Sequence, residues 1–272
     1  MRNLVRIILF LLTLSLPAAA QPGKVPVSQK LDELFLRIRQ NIPAEEKKAA
    51  NDSIINLLKP YAASDSLFRS RLKIKSLGQI ISPDSLVKII TWNLIGDEFV
   101  NSYYLFIVKR EEKSGAGKVI WLNGVFHDKA PSLDSVYNTK TWYGALYYDI
   151  RPFELNGSKH YAVLGIDFGN QPVARKVIDV ITFGINDDLN FGLKCFSSGK
   201  EMRNRVVFEY SSKVVMSLKF NGDTQIVFDH LSPQSPQYTG NRQFYGPDFS
   251  FDCFALDNGY WRYRADIDIK NK

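Results

Sequence analysis

Two cysteines and three histidines among 272 residues are too few, and too scattered, to build a Cys/His metal site or a disulfide framework. Cys195 and Cys253 can form at most one bridge. Each falls in an apolar strand phase, Cys195 with Leu189, Phe191 and Leu193 and Cys253 with Phe249 and Phe251, so a bridge and two buried thiols fit equally well. Catalytic signatures are missing too: there is no G-x-S-x-G elbow, no H-E-x-x-H helix and no EF-hand loop. Gly115-Ala116-Gly117-Lys118 lacks the spacing and the hydroxyl residue of a phosphate loop and reads as a hairpin turn. Nothing points to a metal or a cofactor. No stretch reaches the roughly 18 apolar residues of a spanning helix, so no membrane span is expected. The formal charge of +7 is spread along the chain, and its densest group, Arg69, Arg71, Lys73 and Lys75, reads as a solvated surface, which argues against a nucleic-acid partner.

What is present begins with a targeting pattern at residues 1–20. Arg2 and Arg6 form a positive start, Ile7 to Leu16 a short apolar core, and Ala18-Ala19-Ala20 a small-residue cleavage site. Cleavage after Ala20 leaves Gln21 first and lowers the charge from +7 to +5. No cysteine follows that site to carry a lipid. The expectation is an exported protein, periplasmic or secreted.

Residues 21–66 read as a linker and a helical hairpin. Ser28 caps a helix with Leu31, Leu34, Phe35 and Ile38 on one face, Ile42-Pro43 breaks it, and Pro43 opens a second with Ala50, Ile54, Leu57, Leu58 and Tyr61. Pro60 and the polar stretch after it should end that helix. Residues 67–272 then read as one antiparallel β domain of about twelve strands, a meander with turns at Asn156-Gly157, Gly169-Asn170, Asn221-Gly222-Asp223 and Asp257-Asn258-Gly259. A sandwich is favoured, and a barrel or small propeller also satisfies the spacing. The helices should pack on this sheet. Thr141–Ile150, Lys159–Phe168 and Arg175–Phe183 form its central meander, the first apolar on both faces and so expected in the middle. The last strand, Tyr260–Ile269, alternates Trp261, Tyr263, Ala265 and Ile267 with charges that would guard an edge.

Two connections, Asn123–Lys140 and Ser232–Pro247, are too long for hairpin turns; they are where any site is expected, the alternative being that both simply cross the end of a sandwich from one sheet to the other. Asp229-His230 leads into the second, which carries Arg242, Tyr245 and Asp248. A carboxylate can orient an imidazole as a base, and Arg with Tyr can hold an anionic or sugar ligand. Adjacent strand residues point to opposite faces, however, so Asp229 and His230 pair only if the strand ends or bulges. Asp179, inside an apolar face between Val177 and Ile181, needs a buried partner such as Lys176 or an arginine of a neighbouring strand. His160 reads as structural, Asn186-Asp187-Asp188 as a polar turn, and the four tryptophans as core.

At Trp142-Tyr143-Gly144-Ala145-Leu146-Tyr147-Tyr148, Val227-Phe228-Asp229-His230-Leu231-Ser232-Pro233 and Tyr245-Gly246-Pro247-Asp248-Phe249-Ser250 the chain resembles an uncharacterised family of exported proteins of Bacteroidota-type bacteria, from about Ser82 onward. The resemblance implies an exported bacterial setting and no chemistry. Two functions follow as expectations. The first is a non-enzymatic exported β-domain binding a glycan, peptide or cell-envelope partner through Asp229, His230, Arg242, Tyr245 and Asp248. The second is a hydrolase of an envelope or dietary polymer with Asp229 and Asp248 as paired carboxylates. No signature specifies an oligomeric state, and the missing catalytic motifs favour the non-enzyme.

Overall fold

The computed structural model describes residues 26–96, 100–111, 117–125, 127, 129–168, 172–184 and 188–268. The targeting segment, most of its linker, and the turns expected at 114–116, 169–170 and 186–187 lie outside the described residues. Helices α1 (Val27–Arg37) and α2 (Ala44–Ala62) form the hairpin. Three sheets follow. The first has the order β1 (Gly78–Ile81), β2 (Val87–Ile95), β3 (Asn101–Arg110), β4 (Gly117–Val125). The second runs β5 (Tyr137–Asn138), β9 (Leu189–Phe191), β8 (Val173–Phe183), β7 (Ser158–Asp167), β6 (Leu146–Leu155), with β12 (Val206–Ser211) also on β8. The third runs β11 (Glu201–Arg203), β10 (Phe196–Ser198), β16 (Tyr260–Arg264), β15 (Tyr245–Asp257), β14 (Gln225–Pro233), β13 (Leu218–Phe220).

Three apolar cores glue these into four layers. Leu31, Phe35, Ile54 and Leu58 of the helices meet Ile90, Trp92 and Phe106 of the first sheet. The opposite face of that sheet, with Ile89, Tyr103 and Leu105, meets Tyr147, Val163 and Phe191 of the second. The second sheet's other face, with Leu164, Ile178 and Val180, meets Phe228, Phe254 and Trp261 of the third. The protein is therefore mainly β, antiparallel and sandwich-like, with no closed barrel among the described residues and the helical hairpin packed on the outer sheet, as its alternation implied. Trp92 Nε1 donates to Asn51 of α2 at 2.8 Å, which ties the helix layer to β2.

Several local expectations are corrected. Among the described residues sixteen strands replace about twelve, because β1, β5 and β11 are too short to show a period and the strand expected from Leu189 to Phe196 divides into β9 and β10. Helix α1 starts at Val27, so Ser28 lies inside its first turn and makes no cap. Helix α2 carries Pro60 in its last turn and continues to Ala62, with Pro43 as its N-cap. The first strand of the meander starts at Leu146, not Thr141. Gly144 sits at φ +87° with no room for a Cβ beside Tyr103, so the chain turns there before the strand begins. A bulge at Tyr148 then shifts the phase, placing Tyr147 and Ile150 in the same core. This strand is covered on both faces but lies at the sheet edge, where Pro152 costs no ladder bond. Strands β7 and β8 are the central ones. The last strand is not an edge either: β16 pairs antiparallel with β15 and, at Phe196↔Trp261, parallel with β10. Cys195 lies in the core between the second and third sheets and Cys253 on the third sheet's outer face, so both remain free thiols.

Candidate functional site

The register of β14 against β15 creates the site. Leu231 pairs with Pro247 and Asp229 with Phe251, leaving His230 alone opposite Asp248, Phe249 and Ser250. Strand β15 thus bulges beside His230. The Asp248 carboxylate accepts bonds from the Ser250 N–H (3.1 Å) and hydroxyl (2.7 Å), closing the bulge as a local turn. The supposed loop Ser232–Pro247 is shortened accordingly. Ser232 and Pro233 pair with Gly246 and Tyr245, and only residues 234–244 connect the strands, folded into 3-10 turns at Pro236–Tyr238 and Arg242–Phe244. The second turn packs against β12.

Where β12, this turn and the inner face of the third sheet meet, the second sandwich opens into a cleft of about 360 Å³. Phe208, Phe228, Phe254 and Tyr263 supply rings, and Glu209, Asp229, His230, Arg242 and Asp252 supply charge. The Phe208 and Phe228 rings lie 4.7 Å apart and continue through Phe254 to Tyr263.

Asp229 and His230 both line this cleft, yet they are not partners. The Asp229 carboxylate accepts the Ser217 N–H at 2.6 Å. His230 Nδ1 donates to Asp252 Oδ2 at 2.8 Å, a diagonal cross-strand pair, since Asp252 sits opposite Phe228. Asp252, nearly buried, also accepts from the Tyr263 hydroxyl at 2.8 Å and from the Asp266 N–H at 3.0 Å, so its charge is fully bonded. The hydrogen bond to Asp252, aided by the charges of Asp252, Asp248 and Asp266, holds the His230 imidazolium above the ordinary histidine value despite partial burial. The imidazole side chain is 42% exposed, and among the described residues no hydroxyl or thiol bonds its second nitrogen. Arg242 stacks on the Tyr245 ring, 4.4 Å to its centre. Tyr245 is buried outside the cleft and its hydroxyl accepts the Gly240 N–H at 3.0 Å. Of the five residues expected at a site, three line the cleft, Tyr245 supports one of them, and Asp248 acts on His230 through its charge alone.

Asp252, Tyr263 and Glu209 were missed. Asp252 had a legible signal: it is a carboxylate within an apolar run, as Asp179 is, and must find buried partners.

The other long connection is held down by buried charges. Asp179 pairs with Arg205 at 3.1 Å, both fully buried, and accepts the Tyr143 hydroxyl at 2.7 Å. Burial raises the Asp179 carboxyl above its usual range, against the pull of Arg205 and of its hydrogen bonds. Arg205 also donates to the carbonyls of Ser132, Ser135 (2.8 Å) and Phe191 (3.0 Å), and Arg175 to that of His127 (2.7 Å). These bonds pin the connection over the second sheet. A cavity of about 370 Å³ remains beneath it, lined by His127, Lys129, Tyr137, Tyr143, Asp167 and Arg175 among others. No group of three or more metal-ligating side chains occurs among the described residues, and no described helix is long and apolar enough to cross a membrane.

Comparison of the chain with family models, curated proteins and solved structures gives no match.

Proposed function

We propose that this chain is an exported, non-enzymatic binding protein whose cleft between β12 and the third sheet takes a short piece of glycan. The observation that carries this is the lining: the half-buried rings of Phe208 and Tyr263, backed by the buried Phe228 and Phe254, beside a charged rim, within a volume suited to one or two sugar units. Rings pack against the C–H faces of sugars while carboxylates and an imidazole answer their hydroxyls. The N-terminal targeting pattern and the resemblance to exported proteins support the envelope or extracellular setting in which such a ligand is met.

A hydrolase built on Asp229 and Asp248 draws no support from the geometry, because Asp248 lies outside the cleft and is bonded within its own turn. His230 and Asp252 are paired as the base and orienting group of a nucleophilic triad would be, but among the described residues no hydroxyl or thiol bonds the imidazole's second nitrogen. Binding is the better reading. It is tested on an immobilised panel of neutral and acidic glycans, with Phe208→Ala and His230→Ala beside the parent. The parent is expected to retain one class of glycan and each variant to lose it at least about tenfold, with the melting temperature of His230→Ala within about 2 °C of the parent. A parent that retains no glycan, or variants that bind as the parent does, would overturn the reading.

A further inference from the structure

The cleft's charges are unevenly satisfied. Glu209 is taken by Arg175 at 2.9 Å, Asp252 by His230 and Tyr263, and Asp229 by the Ser217 N–H. Arg242 is different: it is exposed, and among the described residues it meets no carboxylate. Its guanidinium is nevertheless held in place, stacked on Tyr245, which is buried and anchored through Gly240. A planar donor fork fixed at a cleft mouth without a counter-charge is preorganised for a carboxylate.

We propose that the sugar bound in the cleft carries a carboxylate, as a uronic acid does, and that Arg242 and His230 together receive it. The inference rests on the reading of the cleft as a glycan site and names the class of glycan. His230 serves this role only in one protonation state. Its Nδ1–H is committed to Asp252, so the neutral ring offers a lone pair at Nε2, which repels a carboxylate, whereas the imidazolium offers an N–H there. The groups that face it favour the imidazolium: Asp252 and Asp248 from β15 and Asp266 beyond β16, with Tyr263 bonded to the same carboxylate. Arg242 and Asp229 complete the charged lining around it.

The remaining lining selects a monoanion rich in hydroxyls. Three carboxylates around one small cleft oppose a doubly charged phosphate, while two of them, Glu209 and Asp229, each bonded through one oxygen, can also accept from hydroxyls. A peptide chain end supplies a carboxylate with few donors near it. A uronate supplies both in one ring, with a C–H face for Phe208 and Tyr263.

The experiment is calorimetric titration of the full chain with an oligogalacturonate and with its carboxyl-reduced, neutral counterpart. It is run at about pH 5.5 and about pH 8.5, on either side of ordinary histidine titration, for the parent, Arg242→Gln, His230→Gln and Phe208→Ala. The acidic sugar is expected to bind at least about tenfold tighter than the neutral one at the lower pH. Arg242→Gln should abolish that preference, bringing the acidic sugar's affinity down to that of the neutral one. The parent's affinity for the acidic sugar should fall at the higher pH, and that of His230→Gln should not. Equal binding of the two sugars, with both lost in Phe208→Ala, overturns the carboxylate inference and leaves the glycan site standing. Binding of neither sugar, with an acidic peptide captured in their place, overturns both.

Discussion

At the scale of single residues, the most consequential charge outside the cleft is Lys88. Its side chain is buried on the helix-facing side of β2, where it donates to the carbonyls of Leu67 and Ser70 (2.9 Å) and to the Tyr61 hydroxyl (3.0 Å), with no carboxylate partner among the described residues. Lysine at that strand position breaks the apolar pattern for a reason: it satisfies the chain that returns from the helices to the sheet. Burial, with the nearby charge of Arg71, lowers the ammonium from 10.5 to about 8. Because the folded value lies below the unfolded one, the unfolded chain binds more protons between about pH 8 and 10.5, and the contribution of this group to stability rises with pH through that window. Lys88→Met should therefore remove an alkaline gain that the parent shows. Urea midpoints measured from pH 7 to 10.5 check this; parallel profiles for the two proteins would refute it. Asp179 was legible from the sequence by the same logic, since a carboxylate in an apolar strand demands a partner. Which cation answers was not, because Arg205 reaches β8 only through the pairing of β12.

Among the elements, hairpins were legible wherever turn chemistry is local. Asn156-Gly157 and Asn258-Gly259, all with positive φ, join β6 to β7 and β15 to β16 as two-residue turns. Bulges were not legible, since each shifts the two-residue period on which the face assignments rest. The bulge of β15 matters most. Phe249 sits there at φ +73° with 95% of its surface exposed, in a region that costs a bulky L-residue roughly 1–2 kcal/mol. Glycine relieves that cost and adds about 0.5–1 kcal/mol of backbone entropy in the unfolded chain. Phe249→Gly should thus leave stability unchanged or raise it by up to about 1.5 kcal/mol, where an ordinary substitution lowers it by about 1 kcal/mol. Chemical denaturation checks it. A loss above about 1 kcal/mol would mean that the ring packs against the protein and that the bulge is held by that packing.

For the whole molecule, composition and alternation disclosed a mainly antiparallel β protein with a helical hairpin on its sheet, because burial of one face per strand is written into the period. They did not disclose four layers, in which the second sheet is buried on both faces and the third turns its open end into a cleft. That arrangement depends on contacts between strands far apart in sequence, such as β12 on β8 and β10 beside β16. The candidate site was half legible for the same reason. Asp229, His230 and Arg242 announce themselves near one turn, whereas Asp252 and Tyr263 join them only across strands. In the function proposed above, this cleft is where a ligand binds. With three histidines in the chain, nitrogen-15 labelling of histidine alone reports on it directly. His230 lines the cleft, His127 lines the cavity under the other long connection, and His160 sits against Phe153. On titration with an acidic oligosaccharide, the imidazole signals of His230 should shift and saturate while those of His127 and His160 stay in place. A saturating shift at His127 with His230 unmoved would place the ligand in the other cavity and contradict the account.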